Sequence, residues 1–98
     1  MVSPDTRLNV PKHVLSRDLD GETVILDVAG GMYYGLTDVG TNAWELFSEG
    51  LSVDEVCKKL LETYDVEPEV LGRDINALVE DLLEKKLLTK RIGNTGET

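Results

Sequence analysis

The chain is poor in the side chains that most catalytic and metal sites require. Its 98 residues include one cysteine, Cys57, and one histidine, His13, which excludes an internal disulfide and a metal site built from several histidines. Aromatic residues make up only 5% of the chain, and no run of about 18 apolar residues could span a membrane. The first residues lack the basic and apolar stretches of a signal peptide, which predicts a cytoplasmic protein.

Positive charge is also scarce. Lys and Arg number 10 against 19 Asp and Glu, so the formal net charge is −9. Phosphate backbones are bound by clustered Lys and Arg, so this balance argues against nucleic-acid binding and favours a neutral or basic partner. The hydrophobic fraction of 41% and the charged fraction of 30% are typical of one small globular domain.

The N-terminal half is predicted to form a small antiparallel sheet. An edge strand or a broken strand is expected over residues 7–18, because Pro11 cannot donate a ladder hydrogen bond. The β-branched residues of 23–28 predict the clearest strand. Paired glycines in the segment 29–31 predict a hairpin turn, from which a further strand returns over 32–36.

Beyond this point the period of the apolar residues changes from two to 3.6, which predicts helices. The first is expected over about 38–48, with Thr37 or Asp38 as its cap. The second begins at Ser52, which forms a capping box with Glu55 three residues later. The order of elements therefore predicts an α+β fold, in which two or three strands precede three helices.

The third and longest helix is predicted from Pro68 to about Lys86, and its apolar band is broader than a small domain needs. The predicted core stripe consists of Leu71, Ile75, Leu78 and Leu82. Val79 and Leu83 widen the band on one side, and Val70 and Ala77 widen it on the other, beside Asp74 and Asp81. Such a band favours either a wider core or a groove along one margin. The folded domain is expected over residues 7–88, with flexible tails at 1–6 and 89–98.

No catalytic constellation is recognisable in the sequence. Cys57 lies on the apolar stripe of the second helix, which favours a small core residue over a nucleophile. His13 is distant from it and lies in the broken strand. The glycines between residues 30 and 40 match neither a dinucleotide-binding nor a P-loop pattern. The chain is therefore predicted not to be an enzyme, with no catalytic residue, metal or cofactor.

The stretch from Val28 to Thr37 carries no charge in a chain that is 30% charged. At a sheet edge it would lack the usual protection by Lys, Pro or a bulge, and its free N–H and C=O groups could pair with a guest strand. The alternative is a central strand, or one covered by a helix. An extended peptide is predicted between this strand and the third helix, with Asp74 and Asp81 facing a basic guest side chain. The predicted peptide-binding residues are Val28, Met32, Tyr33, Tyr34, Gly35, Leu36, Val70, Leu71, Asp74, Ile75, Leu78, Asp81 and Leu82.

The run from Val24 to Leu46 resembles the PqqD-like proteins. It joins an aliphatic strand and a turn to the segments Tyr33-Tyr34-Gly35-Leu36 and Trp44-Glu45-Leu46. The helix start Gly50-Leu51-Ser52-Val53-Asp54-Glu55 and the leucine-rich final helix continue the similarity, which covers roughly residues 8–88. Thr37 stands where the family often has Asn, and both residues can cap a helix.

The resemblance implies a RiPP recognition element, a winged helix-turn-helix-like domain with a three-stranded antiparallel sheet followed by three helices. Members bind the leader of a ribosomally made precursor peptide as an added strand, here against Met32–Leu36 and the helix from Val70 to Leu83. The stand-alone B1 proteins of lasso peptide biosynthesis are the most similar group. They imply delivery to a separate leader peptidase of the B2 type, with an ATP-dependent cyclase as a further candidate partner. The alternative is a PqqD-type chaperone that presents its peptide to a radical-SAM enzyme.

A winged helix could also bind DNA, but the charge of the last helical segment opposes this function. Residues 65–86 contain the acids Asp65, Glu67, Glu69, Asp74, Glu80, Asp81 and Glu84 against the bases Arg73, Lys85 and Lys86. A recognition helix with this balance would be repelled by phosphates.

Overall fold

The computed structural model describes residues 2–91. Its elements are β1 (Leu8–Asn9), β2 (Val14–Leu19), β3 (Glu22–Asp27), β4 (Met32–Thr37), α1 (Val39–Ser48), α2 (Val53–Thr63), α3 (Pro68–Glu84) and β5 (Thr89–Lys90). β2, β3 and β4 form an antiparallel sheet in that order, and β1 pairs with β5. The α+β class is confirmed, because a three-stranded sheet precedes three helices in a winged helix-turn-helix-like arrangement.

Two tight turns set the register of the sheet. Asp20 and Gly21 join β2 to β3, and both have positive φ, as a two-residue type I′ turn requires. The turn between β3 and β4 comprises residues 28–31. There the Asp27 carboxylate accepts the Gly30 N–H at 3.0 Å. A Cβ at Gly30 would lie 2.7 Å from that carboxylate, so a larger residue here would force the Asp27 side chain to move.

The core lies between one face of the sheet and the three helices. Every described element except β5 contributes at least one buried side chain. The core consists of Val2, Leu8, Val14, Ile25, Leu36, Ala43, Trp44, Phe47, Val53, Val56, Leu60, Leu71, Ile75, Val79, Leu82, Leu87 and Leu88. Cys57 packs half-buried against this core, where burial raises the pKa of its thiol, as expected for a structural cysteine.

The helix starts differ in how closely they follow the sequence prediction. The capping box at α2 is confirmed, because the Ser52 hydroxyl accepts the Glu55 N–H and the Glu55 carboxylate accepts the Ser52 N–H. These bonds and the neighbouring Arg7 lower the pKa of Glu55. At α1 the prediction of a side-chain cap is wrong for Asp38, whose side chain makes no capping hydrogen bond. Its backbone has φ 49° and ψ −116°, an unfavourable region for a residue other than glycine.

α3 begins with Pro68 in its first turn and ends at Glu84, two residues before the predicted end. Its buried residues are Leu71, Ile75, Val79 and Leu82. The predicted stripe is therefore wrong at two positions, since Val79 is fully buried and Leu78 is only half-buried. The core lies further round the helix than predicted, which leaves the margin with Val70, Asp74 and Leu78 partly open.

Both segments predicted as flexible tails include residues that form hydrogen bonds with the folded domain. In the N-terminal segment, the Thr6 and Pro4 carbonyls accept the N–H groups of Val53 and Asp54 at 2.9 Å and so complete the start of α2. The flexible tail expected from residue 89 is also wrong at its start, because Thr89–Lys90 pairs with β1. Residues 92–98 lie outside the described residues. None of the described helices has the length and apolar character needed to cross a membrane.

Candidate functional site

β4 is an edge strand of the three-stranded sheet. Within residues 2–91 it pairs with β3 on one side and with no strand on the other. The strand Met32–Thr37 contains no charged side chain and no proline. The edge predicted to be unprotected is therefore present, with a row of backbone groups available to another strand.

The turn geometry identifies which backbone groups of β4 point outward. Residues that flank a two-residue type I′ turn form a hydrogen-bonded pair, so Leu19 and Glu22 are such a pair and every second pair along β2–β3 follows. The alternate residues of β3, including Ile25, then direct their N–H and C=O groups towards β4. Tyr34 is the partner of Ile25, so the backbone N–H and C=O groups of Tyr34 point towards β3. The outward N–H and C=O groups of β4 consequently belong to Tyr33 and Gly35.

A hydrogen bond connects this strand to α3. The Tyr34 hydroxyl donates to Asp81 Oδ2 at 2.6 Å, although 47 positions separate the two residues. Lys85 Nζ donates to Asp81 Oδ1 at 2.8 Å and lies 5.8 Å from the centre of the Tyr34 ring. These three side chains, named here the strut, fix β4 against the C-terminal half of α3.

The strut shifts the pKa values of all three groups. The hydrogen bonds from Lys85 and then from Tyr34 lower the pKa of Asp81. The bond to the Asp81 carboxylate raises the pKa of Tyr34 and that of Lys85. At neutral pH the strut therefore consists of a carboxylate, an ammonium and a neutral phenol, which is the protonation state that its hydrogen bonds need.

An apolar cavity lies beside the N-terminal half of α3. Its volume is about 200 Å³, and its lining consists of Val39, Gly40, Val66, Val70, Leu71, Asp74, Ile75 and Leu78. Asp74 is the one charged residue of this lining. Small-molecule sites typically measure about 300–1,000 Å³, so this cavity better fits a single side chain of a peptide.

The cavity and the strut define the two ends of a groove. Asp81 lies seven positions after Asp74 on α3, which is about 10 Å along the helix axis at 1.5 Å per residue. On the opposite side, β4 runs from Tyr34 at the strut towards Val39 at the cavity. An extended peptide rises about 3.3 Å per residue, so about three residues would bridge the groove from strut to cavity.

The structure divides the predicted site residues into four groups. Val70, Leu71, Asp74, Ile75 and Leu78 line the cavity, and Tyr34 and Asp81 form the strut. Leu36 and Leu82 are buried in the core, and Leu82 does not reach the cavity. Val28, Met32, Tyr33 and Gly35 are exposed at the turn or along the edge. The expected pairing of Asp81 with a guest is not supported, because Tyr34 and Lys85 already occupy its two oxygens.

Three cavity residues were absent from the sequence prediction. Val39 and Gly40 begin α1, and Val66 lies in the connection between α2 and α3. Val66 carried a weak signal, since it is an exposed apolar residue next to a helix start. Lys85 follows Asp81 by four positions, a helical spacing that allows their ion pair, and this signal was not used in the sequence prediction.

The outer face of the sheet, turned away from the core, is also apolar. Leu15, Leu26 and Tyr33 are cross-strand neighbours on this face, and Tyr33 is 73% exposed. Leu15, Leu19, Leu26 and Val24 contribute to a depression of about 460 Å³. The apolar outer face was not predicted from the sequence, although the alternation of residues along β2 indicates it. Val14 is buried, so strand alternation places Leu15 and Leu19 on the opposite face.

The chain matches the profile of a known protein family. The sequence profile of coenzyme PQQ synthesis protein D (PqqD) matches residues 22–88, which include β3, β4 and all three helices. No curated protein matches the chain.

Two solved structures share the fold. One is TbiB1 in complex with the TbiA(beta) leader peptide, with 31% identity and a TM-score of 0.77, covering 82% of this chain and 93% of that chain. The other is a lasso peptide synthetase B1 complexed with the leader peptide, with 28% identity and a TM-score of 0.78, covering 85% of this chain and 98% of that chain.

Proposed function

Because the chain belongs to the PqqD family, we propose that it is a non-catalytic recognition domain for the leader segment of a ribosomally synthesised precursor peptide. The leader pairs with β4 as an additional antiparallel strand. The observation that carries the proposal is the juxtaposition of an uncharged, unpaired edge strand with an apolar cavity of side-chain size. Both similar structures are described as complexes with leader peptides, which supports this choice of ligand.

The groove supplies two kinds of binding energy. Backbone groups of Tyr33 and Gly35 can exchange hydrogen bonds with a guest strand, each contributing about 0.5–1.5 kcal/mol net. One apolar guest side chain buried in the cavity contributes about 1.5–3 kcal/mol. The strut holds Tyr34 and α3 in place before the peptide arrives, so little additional ordering is needed on binding. Backbone pairing provides affinity for any extended peptide, and the cavity provides specificity.

The leader-bound chain then delivers the precursor to other proteins. The likeness to lasso peptide synthetase B1 supports a place in lasso peptide biosynthesis, with a separate leader peptidase and an ATP-dependent cyclase as partners. The outer face of the sheet supports a protein partner, because it carries exposed apolar side chains and stays open while the groove is filled. Presentation to a radical-SAM enzyme is the alternative that the resemblance to PqqD-type chaperones implies.

Calorimetric titration with a synthetic leader tests the first part. The ligands are the N-terminal segments of the short peptides encoded by open reading frames close to the gene of this chain. We expect one-to-one binding with a Kd at or below about 1 µM, which corresponds to about −8 kcal/mol. A scrambled leader of the same composition is the control. Equal affinity for both peptides, or no heat with either, would contradict the proposal.

Leader removal in the presence of a leader peptidase of the B2 type tests the second part. Leu26→Glu places a charge at the centre of the outer face, so we expect unchanged leader affinity but slower cleavage. Asp54→Asn, on an exposed position of α2, is the control. Normal cleavage with Leu26→Glu would exclude the outer face as the partner surface.

A further inference from the structure

We infer that Asp74 selects guest peptides that carry Lys or Arg beside the side chain buried in the cavity. The inference rests on the proposed function, which it deepens by stating the chemistry of the preferred leader. It follows from three features of the groove: the surroundings of Asp74, the state of Asp81, and the effect of a bound strand on an unpaired carboxylate.

No cation lies at the positions of α3 whose side chains can contact Asp74 along the helix, although Arg73 is its neighbour in sequence. Its neighbours at the spacings that allow helical side-chain contacts are Val70, Leu71, Ala77 and Leu78. The other residues of the cavity lining are uncharged. Among residues 2–91, no hydrogen bond or ion pair of the Asp74 carboxylate is formed. Its charge is therefore solvated in the unbound protein and has no internal partner.

Asp81 provides the contrast on the same helix margin. Tyr34 and Lys85 occupy both of its oxygens, and these bonds lower the pKa of its carboxyl group. Of the two carboxylates on this side of α3, that of Asp81 is hydrogen-bonded within the protein and that of Asp74 remains available to a guest. The sequence prediction treats the two carboxylates alike, but Lys85, four positions after Asp81, and Tyr34, across the groove, distinguish them.

A guest strand changes the surroundings of Asp74. When a guest side chain fills the adjacent cavity, the peptide backbone displaces water from the rim on which Asp74 lies. A carboxylate that loses water without gaining a partner is destabilised, and a guest Asp or Glu would add repulsion. A guest Lys or Arg removes both costs and forms a charge-assisted bond. The formal net charge of −9 favours the approach of the same peptides.

Selection from a phage library of random 15-residue peptides tests the inference without a known leader. The library is panned on the native chain and on Asp74→Asn, Asp74→Lys and Glu62→Gln. The last variant removes one exposed charge from α2 and is the charge-matched control. Only peptides that no longer bind Tyr33→Pro are analysed, because that variant removes an outward N–H of β4 and thereby identifies binders that use the edge.

We expect Lys or Arg to be enriched at a fixed distance from an apolar residue with the native chain and with Glu62→Gln. The enrichment should disappear with Asp74→Asn and turn to Asp or Glu with Asp74→Lys. For one selected peptide, Lys→Ala should weaken binding about threefold to tenfold on the native chain and less than twofold on Asp74→Asn.

Two results overturn the inference, and they differ in what else they contradict. Edge-dependent peptides with the same composition on the native chain and Asp74→Asn, or enriched in Tyr or Ser instead of Lys or Arg, overturn the role of Asp74 and leave strand addition intact. A selection in which every binder tolerates Tyr33→Pro overturns strand addition itself, and the role of Asp74 with it.

Discussion

The two edge strands of the sheet, β2 and β4, differ in how they are protected from other strands. Both pair only with β3 among the described residues. β2 carries Arg17 and Asp18 at its centre, and such charges discourage further pairing. β4 carries no charge and is joined to α3 through the Tyr34–Asp81 bond. The comparison teaches that a free edge is not by itself a binding site. The chemistry of the strand and the element beside it decide which edge accepts a guest.

Removal of an outward N–H tests this comparison most directly. Tyr33→Pro on β4 should weaken leader binding at least tenfold, because it removes a pairing group and adds a ring at the edge. Ser16→Pro is the matched change on β2, since alternation also turns the Ser16 N–H outward. It should change the affinity less than twofold, as measured by calorimetry.

Tyr33→Ala separates the loss of the side chain from the loss of the N–H, and it should bind the leader nearly as well as the native chain. Circular dichroism must show that all three variants fold. Equal loss of leader affinity in Tyr33→Pro and Ser16→Pro would mean that the leader does not prefer the β4 edge to the β2 edge.

A charge at the cavity should have the next largest effect. Val70→Glu places a carboxylate at the rim, where Val70 is 42% exposed, and should weaken leader binding about tenfold through loss of apolar contact and desolvation. Leu15→Glu is a comparable change on the exposed outer face of β2, where Leu15 is 57% exposed. We expect it to change affinity less than twofold in fluorescence anisotropy. A similar loss in both would indicate that the leader covers the outer face.

The strut should make the stability of the β4 side dependent on pH. The pKa of Asp81 is lowered by folding, so its contribution to stability is present above the ordinary carboxyl value and is lost as pH falls below about 4. The pKa values of Tyr34 and Lys85 are raised, so their contributions are present below about pH 10 and are lost as pH rises further.

Asp81→Asn tests the acidic part of this pH dependence, and Tyr34→Phe tests the alkaline part. As pH decreases from 7 to 3, the melting temperature of Asp81→Asn should fall less steeply than that of the native chain. Tyr34→Phe should lower the melting temperature at pH 7 and flatten the alkaline limb. Identical pH profiles for all three chains would show that the strut does not contribute to stability.

The smallest effect is expected where β4 leaves the sheet. β2 ends in the Asp20-Gly21 turn, whose conformation suits these residues, whereas β4 ends at Asp38 with φ 49° and ψ −116°. Asp38→Gly should be more stable than Asp38→Asn by about 1 kcal/mol in urea unfolding, because glycine relieves the strain and both variants remove the charge. Greater stability of Asp38→Asn would indicate that the side chain has a role not visible in its contacts.

Much of the secondary structure could be predicted because its causes are local. The Ser52–Glu55 capping box and Pro68 in the first turn of α3 depend on neighbours within a few residues. The site was predicted less completely. Val39 and Gly40 were assigned only to a helix start, and their proximity to Val70 depends on how α1 packs against α3.

The sequence alone determined an acidic α+β domain with an uncharged strand and a long helix of broad apolar face, since composition and periodicity are properties of the chain itself. The tertiary structure decided that β4 lies at an edge, that the Val70–Leu78 margin of α3 is the open one, and that Asp81 is paired while Asp74 is not. These are contacts between residues tens of positions apart. Such contacts depend on the packing of whole elements, and periodicity along the sequence records only which side of an element is apolar.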